Sequence, residues 1–224
     1  MTGFADSVIF EMNSTILSKL SLFGVVTVVK NGLIFDENLL NEFVNKRTKK
    51  GKSKQLLELR NLYSYLATFE TQTGLKYRIM QHKRAKKINI VFKGLKQYTD
   101  VSQLMEYDLK EFIAAFKDDI QIMRLDVAID NKEPFNIKAI AKNTNRVILN
   151  RWNTTYLKTA KEKNTNRYLN IKHYYKQIVE LYRLEFVFGK KYFQSKEPLK
   201  CIEKTIKKAL KQSFKFEDNF HLLS

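Results

Sequence analysis

A chain of 224 residues with 44% hydrophobic content, 16 Phe and 11 Tyr carries enough apolar material for a buried core. Its 41 Lys and Arg against 23 Asp and Glu leave a formal charge of +18, which favours a polyanionic partner, nucleic acid ahead of an anionic membrane surface. The single cysteine, Cys201, excludes a disulfide within the chain and any cysteine-built zinc or iron centre, and no run approaches the ~18 apolar residues of a membrane helix. The start, "MTGFADSVIFEM", has no basic segment followed by a long apolar run, so a cytoplasmic protein without a membrane partner is expected.

No repeat of solenoid period and no linker divide the chain, which predicts one domain over 1–224. Residues 24–35, "GVVTVVKNGLIF", set Asn31 and Gly32 between two apolar runs, a hairpin signal because both tolerate positive φ. A helix capped by Asp36 follows over 36–46, then the basic run "KRTKKGKSK", then a second helix over 55–70. "LKYRIMQH" and "KINIVFKG" alternate as an antiparallel pair around "KRAKK". Leu104, Met105, Leu109, Phe112, Ile113 and Phe116 form the apolar face of a helix over 101–119. Beyond it come a strand at 120–130, a helix near 136–142, strands near 146–149, 154–159 and 167–175, and "LYRLEFVF" at 181–188. An amphipathic helix over 198–214 closes the series. The expected fold is α+β: a mostly antiparallel central sheet with helices packed on one face.

In "RLDVAID" the period of two puts Leu125, Val127 and Ile129 on one face and Arg124, Asp126, Ala128 and Asp130 on the other. In "YRLEFVF" it separates Tyr182, Leu184, Phe186 and Phe188 from Arg183, Glu185 and Val187. If the two strands are neighbours, Asp126 and Glu185 converge on the polar face. Two carboxylates make a hard-oxygen site suited to Mg²⁺ or Mn²⁺ rather than zinc. The competing reading pairs them across the sheet with Arg183 and Arg124. In "YLNIKHYYK", Tyr174 shares the polar face with Lys172 and Lys176, while Tyr175 and His173 turn inward, His173 as a hydrogen-bonded core residue. A phenol is a poor nucleophile unless a cation favours the phenolate, which gives Lys176 chemical meaning beside Tyr174. Equally, strand tyrosines are commonly β-formers with a hydrogen-bonding tip.

Three basic clusters are candidate DNA contacts: Lys46, Arg47, Lys49, Lys50, Lys52 and Lys54 in the first run; Lys83, Arg84, Lys86 and Lys87 in the hairpin turn; and Lys158, Lys161, Lys163 and Arg167 beside the polar strands. Contacts of this kind hold phosphates and do not read sequence.

The order "RLDVAID", "TTYLK", "HYYK", "YRLEF" resembles the rolling-circle replication initiators of the staphylococcal plasmid type, with their phage and integrative-element relatives, over roughly 120–188. The resemblance implies the replication-initiator/relaxase fold, with 76–190 as catalytic core; it leaves 1–75 unassigned, and that stretch, which holds the first basic run, is a candidate DNA-binding subregion. The resemblance also implies a metal held by Asp126 and Glu185, and Tyr174 as nucleophile with Lys176 as its companion; Asp130, on the same strand face as Asp126, is a candidate third ligand or a helper of Arg124. Lys158 and Thr159 stand where the family has a glycine after T-x-Y-x, so Tyr175 and Tyr156 stay open as nucleophiles. The three histidines, His82, His173 and His221, are scattered and form no His-x-His pair.

The function expected is origin-specific nicking of DNA, single-stranded or extruded as a hairpin, with a tyrosine nucleophile and Mg²⁺ or Mn²⁺. A host helicase and polymerase, and a homodimeric assembly, belong to that reading. Its rivals are a non-catalytic nucleic-acid-binding protein and a metal-dependent hydrolytic nuclease.

Overall fold

The structure, a computed structural model, describes residues 2–16, 25–26, 51–70, 75–95, 102–159, 169–193 and 198–213. Among the described residues, nine strands of five residues or more, joined at one edge by the two-residue segment Val25–Val26, form one sheet in which every ladder is antiparallel. In chain order they are β1 (Thr2–Asn13), β2 (Val25–Val26), β3 (Tyr63–Glu70), β4 (Lys76–His82), β5 (Lys87–Lys93), β6 (Gln121–Asn131), β7 (Val147–Arg151), β8 (Thr154–Lys158), β9 (Leu169–Lys176) and β10 (Leu181–Gly189). The helices are α1 (Lys52–Leu62), α2 (Ser102–Ala115), α3 (Ile137–Asn143) and α4 (Pro198–Ser213). The spatial order is β2-β3-β4-β5-β1-β6-β10-β9-β8-β7. Two meanders, β3 to β5 and β7 to β10, therefore close on a central pair, β1 and β6.

The alternation in the central strands decides which face is dry. Leu184, Phe186 and Phe188 of β10 stand opposite Ile129, Val127 and Leu125 of β6, and all six are fully buried. Ile202, Ile206 and Ala209 of α4 belong to the same cluster, with α4 packed over β1 and β6. Leu109, Phe112 and Ile113 of α2 join it with Phe116 of the turn that follows, Phe112 lying 5.1 Å from Phe92 and 6.2 Å from Phe10 between ring centroids. Ile140 and Ala141 of α3 complete the layer. The helix begins where the Asn136 side chain accepts from the Ala139 amide at 3.1 Å, a cap that occupies one otherwise orphaned donor.

The expected helix over 55–70 breaks at Leu62, and 63–70 is strand β3. Leu62, Leu66 and Phe69 sit at a spacing a helix also satisfies, but Tyr63, Tyr65, Thr68 and Phe69 are strand formers, and pairing with β4 from Glu70↔Lys76 to Tyr63↔His82 decides the matter. The helix over 101–119 ends at Ala115, with 116–119 as turn around Asp118 and Asp119. Tyr175 lies on the expected side of β9 yet is 45% exposed, because it stands near the strand end, where its ring meets Tyr182 at 5.0 Å. His173 is held between Tyr182 and Phe135, and its buried Nε2 has no hydrogen-bond partner among the described residues. Ring packing thus replaces the hydrogen bond expected there, and burial pushes the imidazole below its usual pKa. Val25 and Val26 pair with Glu70 and Phe69. The turn at Asn31 and Gly32, and the helix over 36–46, lie outside the described residues.

The first strand was invisible to local pattern, yet it is the middle of the sheet. β1 pairs with β5 from Asn13↔Lys87 to Ser7↔Lys93 and with β6 from Thr2↔Asp130 to Glu11↔Gln121. Between Ala5 and Ser7 the register against β6 slips by one residue, leaving Asp6 as the extra residue of a β-bulge. Ala5 faces the helices and Ser7 stands opposite Asp126 on the other side, so the bulge turns two successive polar side chains toward the polar face.

Candidate active site

On the face of the sheet away from the helices, β1, β6, β10 and β9 carry a cluster in which Asp6, Asp126, Asp130 and Glu185 stand among Arg124, Lys172, Lys176 and Arg183. The register fixes their arrangement. Glu185 stands opposite Ala128, so it is diagonal to both Asp126 and Asp130, and the small alanine leaves room between them. On its other side Glu185 stands opposite Lys172, and Arg183 stands opposite Tyr174. The neighbouring strands that the sequence required for Asp126 and Glu185 to converge are therefore present.

Each carboxylate has a different set of partners. Arg124 grips Asp126 with two bonds of 2.7 Å, from Nε to Oδ1 and from Nη2 to Oδ2, and the Ser7 hydroxyl donates to Oδ2 at 2.9 Å. The Arg124 guanidinium is correspondingly held above its ordinary pKa by that bond. Glu185 receives Lys172 Nζ at 2.7 Å on Oε1 and the Tyr174 hydroxyl at 3.1 Å on Oε2. Arg183, 2% exposed, donates from Nε and Nη2 to the two oxygens of Asp130 at 2.7 and 2.9 Å and from Nη1 to Asp6 at 2.9 Å, with its guanidinium 5.4 Å from the Phe4 ring centre. The pairing the sequence left open thus exists with other partners: Asp126 pairs along its own strand, Glu185 with lysine and tyrosine, and Arg183 with Asp130 and Asp6.

The electrostatics run against a phenolate at rest. Burial, and after it the charge of Glu185, push the Tyr174 phenol well above its ordinary pKa, with Arg183 acting in the opposite direction. Lys176, placed one polar-face step beyond Tyr174, is itself held below its usual pKa by burial and by Arg183. The cation that meets the Tyr174 partner directly is Lys172, on the near side of the tyrosine. Asp6 is pushed up, chiefly by burial, with Arg183 opposing and Glu185 reinforcing.

The donor chemistry of Asp126 and Glu185 fits a hard divalent cation held through one or two carboxylates with substrate phosphate completing the shell, the usual way Mg²⁺ is bound. It does not fit a cage made by protein alone, because among the described residues no three His, Cys, Asp or Glu side chains gather closely enough to hold a metal. Asp126 and Asp130 each have both oxygens held by an arginine, but Asp130 is the poorer ligand, since its partner Arg183 is buried while the Arg124 side chain on Asp126 is exposed enough to leave.

Tyr156 of β8 stands opposite Lys172 on the same face as Tyr174, whereas Tyr175 faces the other way. Lys158 lies further along β8 on the Tyr156 side, half-buried. Lys52 and Lys54 are exposed at the start of α1, and Lys83, Arg84, Lys86 and Lys87 are exposed around the β4–β5 turn, where Lys87 pairs with Glu11 at 2.7 Å. That turn sits at the Asn13 end of β1, while Tyr174 shares its row with Thr2 and Asp130, so the basic turn and the tyrosine occupy opposite strand ends. Lys46, Arg47, Lys49, Lys50, Lys161, Lys163 and Arg167 lie outside the described residues.

Asp6, Ser7 and Lys172 are the members of this face that sequence reasoning did not assign. Period-two alternation did put Lys172 beside Tyr174, but nothing local marks it as the residue opposite Glu185.

Fold and site together define a mixed α/β protein whose large antiparallel sheet is covered by helices on one side and ion-paired on the other. No protein-family model matches the chain, and no curated protein matches its sequence. No helix among the described residues is long and apolar enough to cross a membrane.

Proposed function

We propose that the protein is a metal-dependent DNA strand transferase that nicks one strand at an origin, in the manner of the rolling-circle initiators its motifs resemble, on a related fold. The observation that carries this reading is the Tyr174 hydroxyl 3.1 Å from Glu185 Oε2, with Asp126 diagonal to Glu185 on the same face. A tyrosine beside a carboxylate that can take its proton is the arrangement nucleophilic catalysis needs.

Tyr174 Oη attacks the scissile phosphorus as its proton passes to Glu185. The bond from phosphorus to the 3′ oxygen breaks, and that oxygen leaves with the electron pair and is protonated from solvent. The products are DNA joined to Tyr174 through its 5′ phosphate and a free 3′-OH that a host polymerase extends behind a host helicase. Lys172 and Lys176 flank Tyr174 and offset the charge that builds on the phosphoryl oxygens. Arg124, whose side chain is 42% exposed, is the cation best able to swing from its carboxylate to a phosphate. A Mg²⁺ or Mn²⁺ ion on Asp126 and Glu185 would supply the remaining neutralisation.

The full pairing of the carboxylates favours one second reading, a non-catalytic nucleic-acid-binding protein in which these charges are architecture. Incubation with labelled single-stranded origin DNA in Mn²⁺ or EDTA, resolved on a denaturing gel, separates the two. Metal-dependent, protein-linked DNA supports the strand transferase. Binding without cleavage supports the second reading, and cleavage without linkage points to a hydrolytic nuclease.

A further inference from the structure

The two-residue connection between β7 and β8, Trp152 and Asn153, lies between the paired residues Arg151 and Thr154. Trp152 has φ 55, and Asn153 is not among the positive-φ residues. Positive φ at the first central position alone is the pattern of a type II′ hairpin turn, a place that favours glycine. A bulky residue there is a backbone outlier. The indole, moreover, is 94% exposed and adds nothing to the core. The fold thus holds the chain's one tryptophan in a strained position from which it buries almost no surface of its own.

Its location suggests what it meets. Thr154 stands opposite Tyr174, so the turn projects from the strand end that carries the candidate nucleophile. The next turn, Gln177–Val179, joins β9 to β10 at the same end and exposes Ile178 to 92%. Arg151 and Lys176 supply positive charge on either side. An exposed flat ring between cations, on a chain of charge +18, is the combination that binds single-stranded nucleic acid: the cations follow the phosphates and a base stacks on the ring. Stacked duplex offers no base face to such a ring, so the partner has unpaired bases.

We propose that Trp152 is a stacking platform for one base of single-stranded DNA and positions the strand across Tyr174. This deepens the reading above and rests on it for the choice of DNA as partner.

Because Trp152 is the only tryptophan, its intrinsic fluorescence reports the contact directly. The probe is a fluorescein-labelled single-stranded oligodeoxynucleotide, read by anisotropy for binding and, unlabelled, by indole quenching. The proposal expects quenching that saturates with binding. It expects about a tenfold or greater loss of affinity in Trp152→Gly, the loss of one base–aromatic stack, and most of the affinity kept in Trp152→Phe. Trp152→Gly suits the strained turn, so its melting temperature should be at least that of the parent, and lost binding cannot be ascribed to unfolding. Binding without quenching, or unchanged affinity in Trp152→Gly, overturns the platform and leaves the nicking reading untouched. Equal quenching by duplex overturns the assignment to unpaired bases. No binding of single-stranded DNA by the parent protein overturns both.

Discussion

Tyr174 gives its hydroxyl proton to a hydrogen bond with Glu185 across the β9–β10 ladder, 3.1 Å from oxygen to oxygen, and Lys172 closes the other side of the same carboxylate at 2.7 Å. Glu185 is thus placed to receive the proton that a nucleophilic phenol must lose. The amide of Glu185→Gln keeps the shape but neither the charge nor the basicity. Metal-dependent nicking by that variant should fall by ~10²–10⁴, the range for loss of a positioned general base. Its melting temperature should remain close to the parent's. Single-turnover rates at saturating DNA measure this, and a rate within a few-fold of the parent would remove Glu185 from the chemistry.

The raised phenol pKa of Tyr174 carries a stability consequence. A group whose folded pKa lies above its unfolded value contributes stability that is complete below the unfolded pKa, near 10 for tyrosine, and is lost as pH rises through the folded value. The parent should therefore lose stability relative to Tyr174→Phe only above about pH 10. Paired melting curves from pH 8 to pH 11 test this, and a difference that is constant over the range would contradict the buried, protonated phenol.

Arg183 is the structural clamp of the polar face. Removing it leaves Asp6 and Asp130 without the guanidinium that bonds to both, so Arg183→Met should destabilise the fold by ~3–5 kcal/mol in urea titrations, the usual cost of breaking one side of a buried pair. Arg183→Lys should recover only part of this, because an ammonium cannot reproduce the three directed bonds. A loss below 1 kcal/mol would mean that the face tolerates solvent far better than its burial implies.

The basic turn at Lys83 and Arg84 lies at the opposite strand end from Tyr174, which separates affinity from chemistry. Replacing both with alanine should weaken binding to single strands evenly across sequences and reduce the slope of log K against log salt by roughly 1.4. The nicking rate at saturating DNA should be unchanged. An unaltered slope would take the turn out of the interface.

Strand faces were legible and registers were not. Alternation alone put Asp126, Glu185 and Tyr174 on one polar side, and the ladder of β6, β10 and β9 confirms that they share it. That Lys172 rather than Lys176 stands opposite Glu185 depends on a hairpin through Gln177–Val179, whose left-handed Glu180 no local signal marks. β1 was missed because its partners lie far away in sequence, Asn13 against Lys87 and Thr2 against Asp130, and its bulge at Asp6 interrupts the period of two. The same bulge hid Asp6 and Ser7 as members of the site. At 55–70 the difficulty was an apolar spacing compatible with both helix and strand, settled only by the partner β4.

In the strand-transferase reading, one particular tyrosine becomes covalently attached to DNA. The measurement is the yield of protein-linked DNA in Mn²⁺ for the parent, Tyr174→Phe and Tyr175→Phe, with EDTA as control. Tyr174 faces Glu185 across the polar face, while Tyr175 points to the other side, its ring tilted against that of Tyr182. An adduct is expected in the parent and in Tyr175→Phe and none in Tyr174→Phe. An adduct that survives Tyr174→Phe, or is lost only in Tyr175→Phe, would contradict that reading.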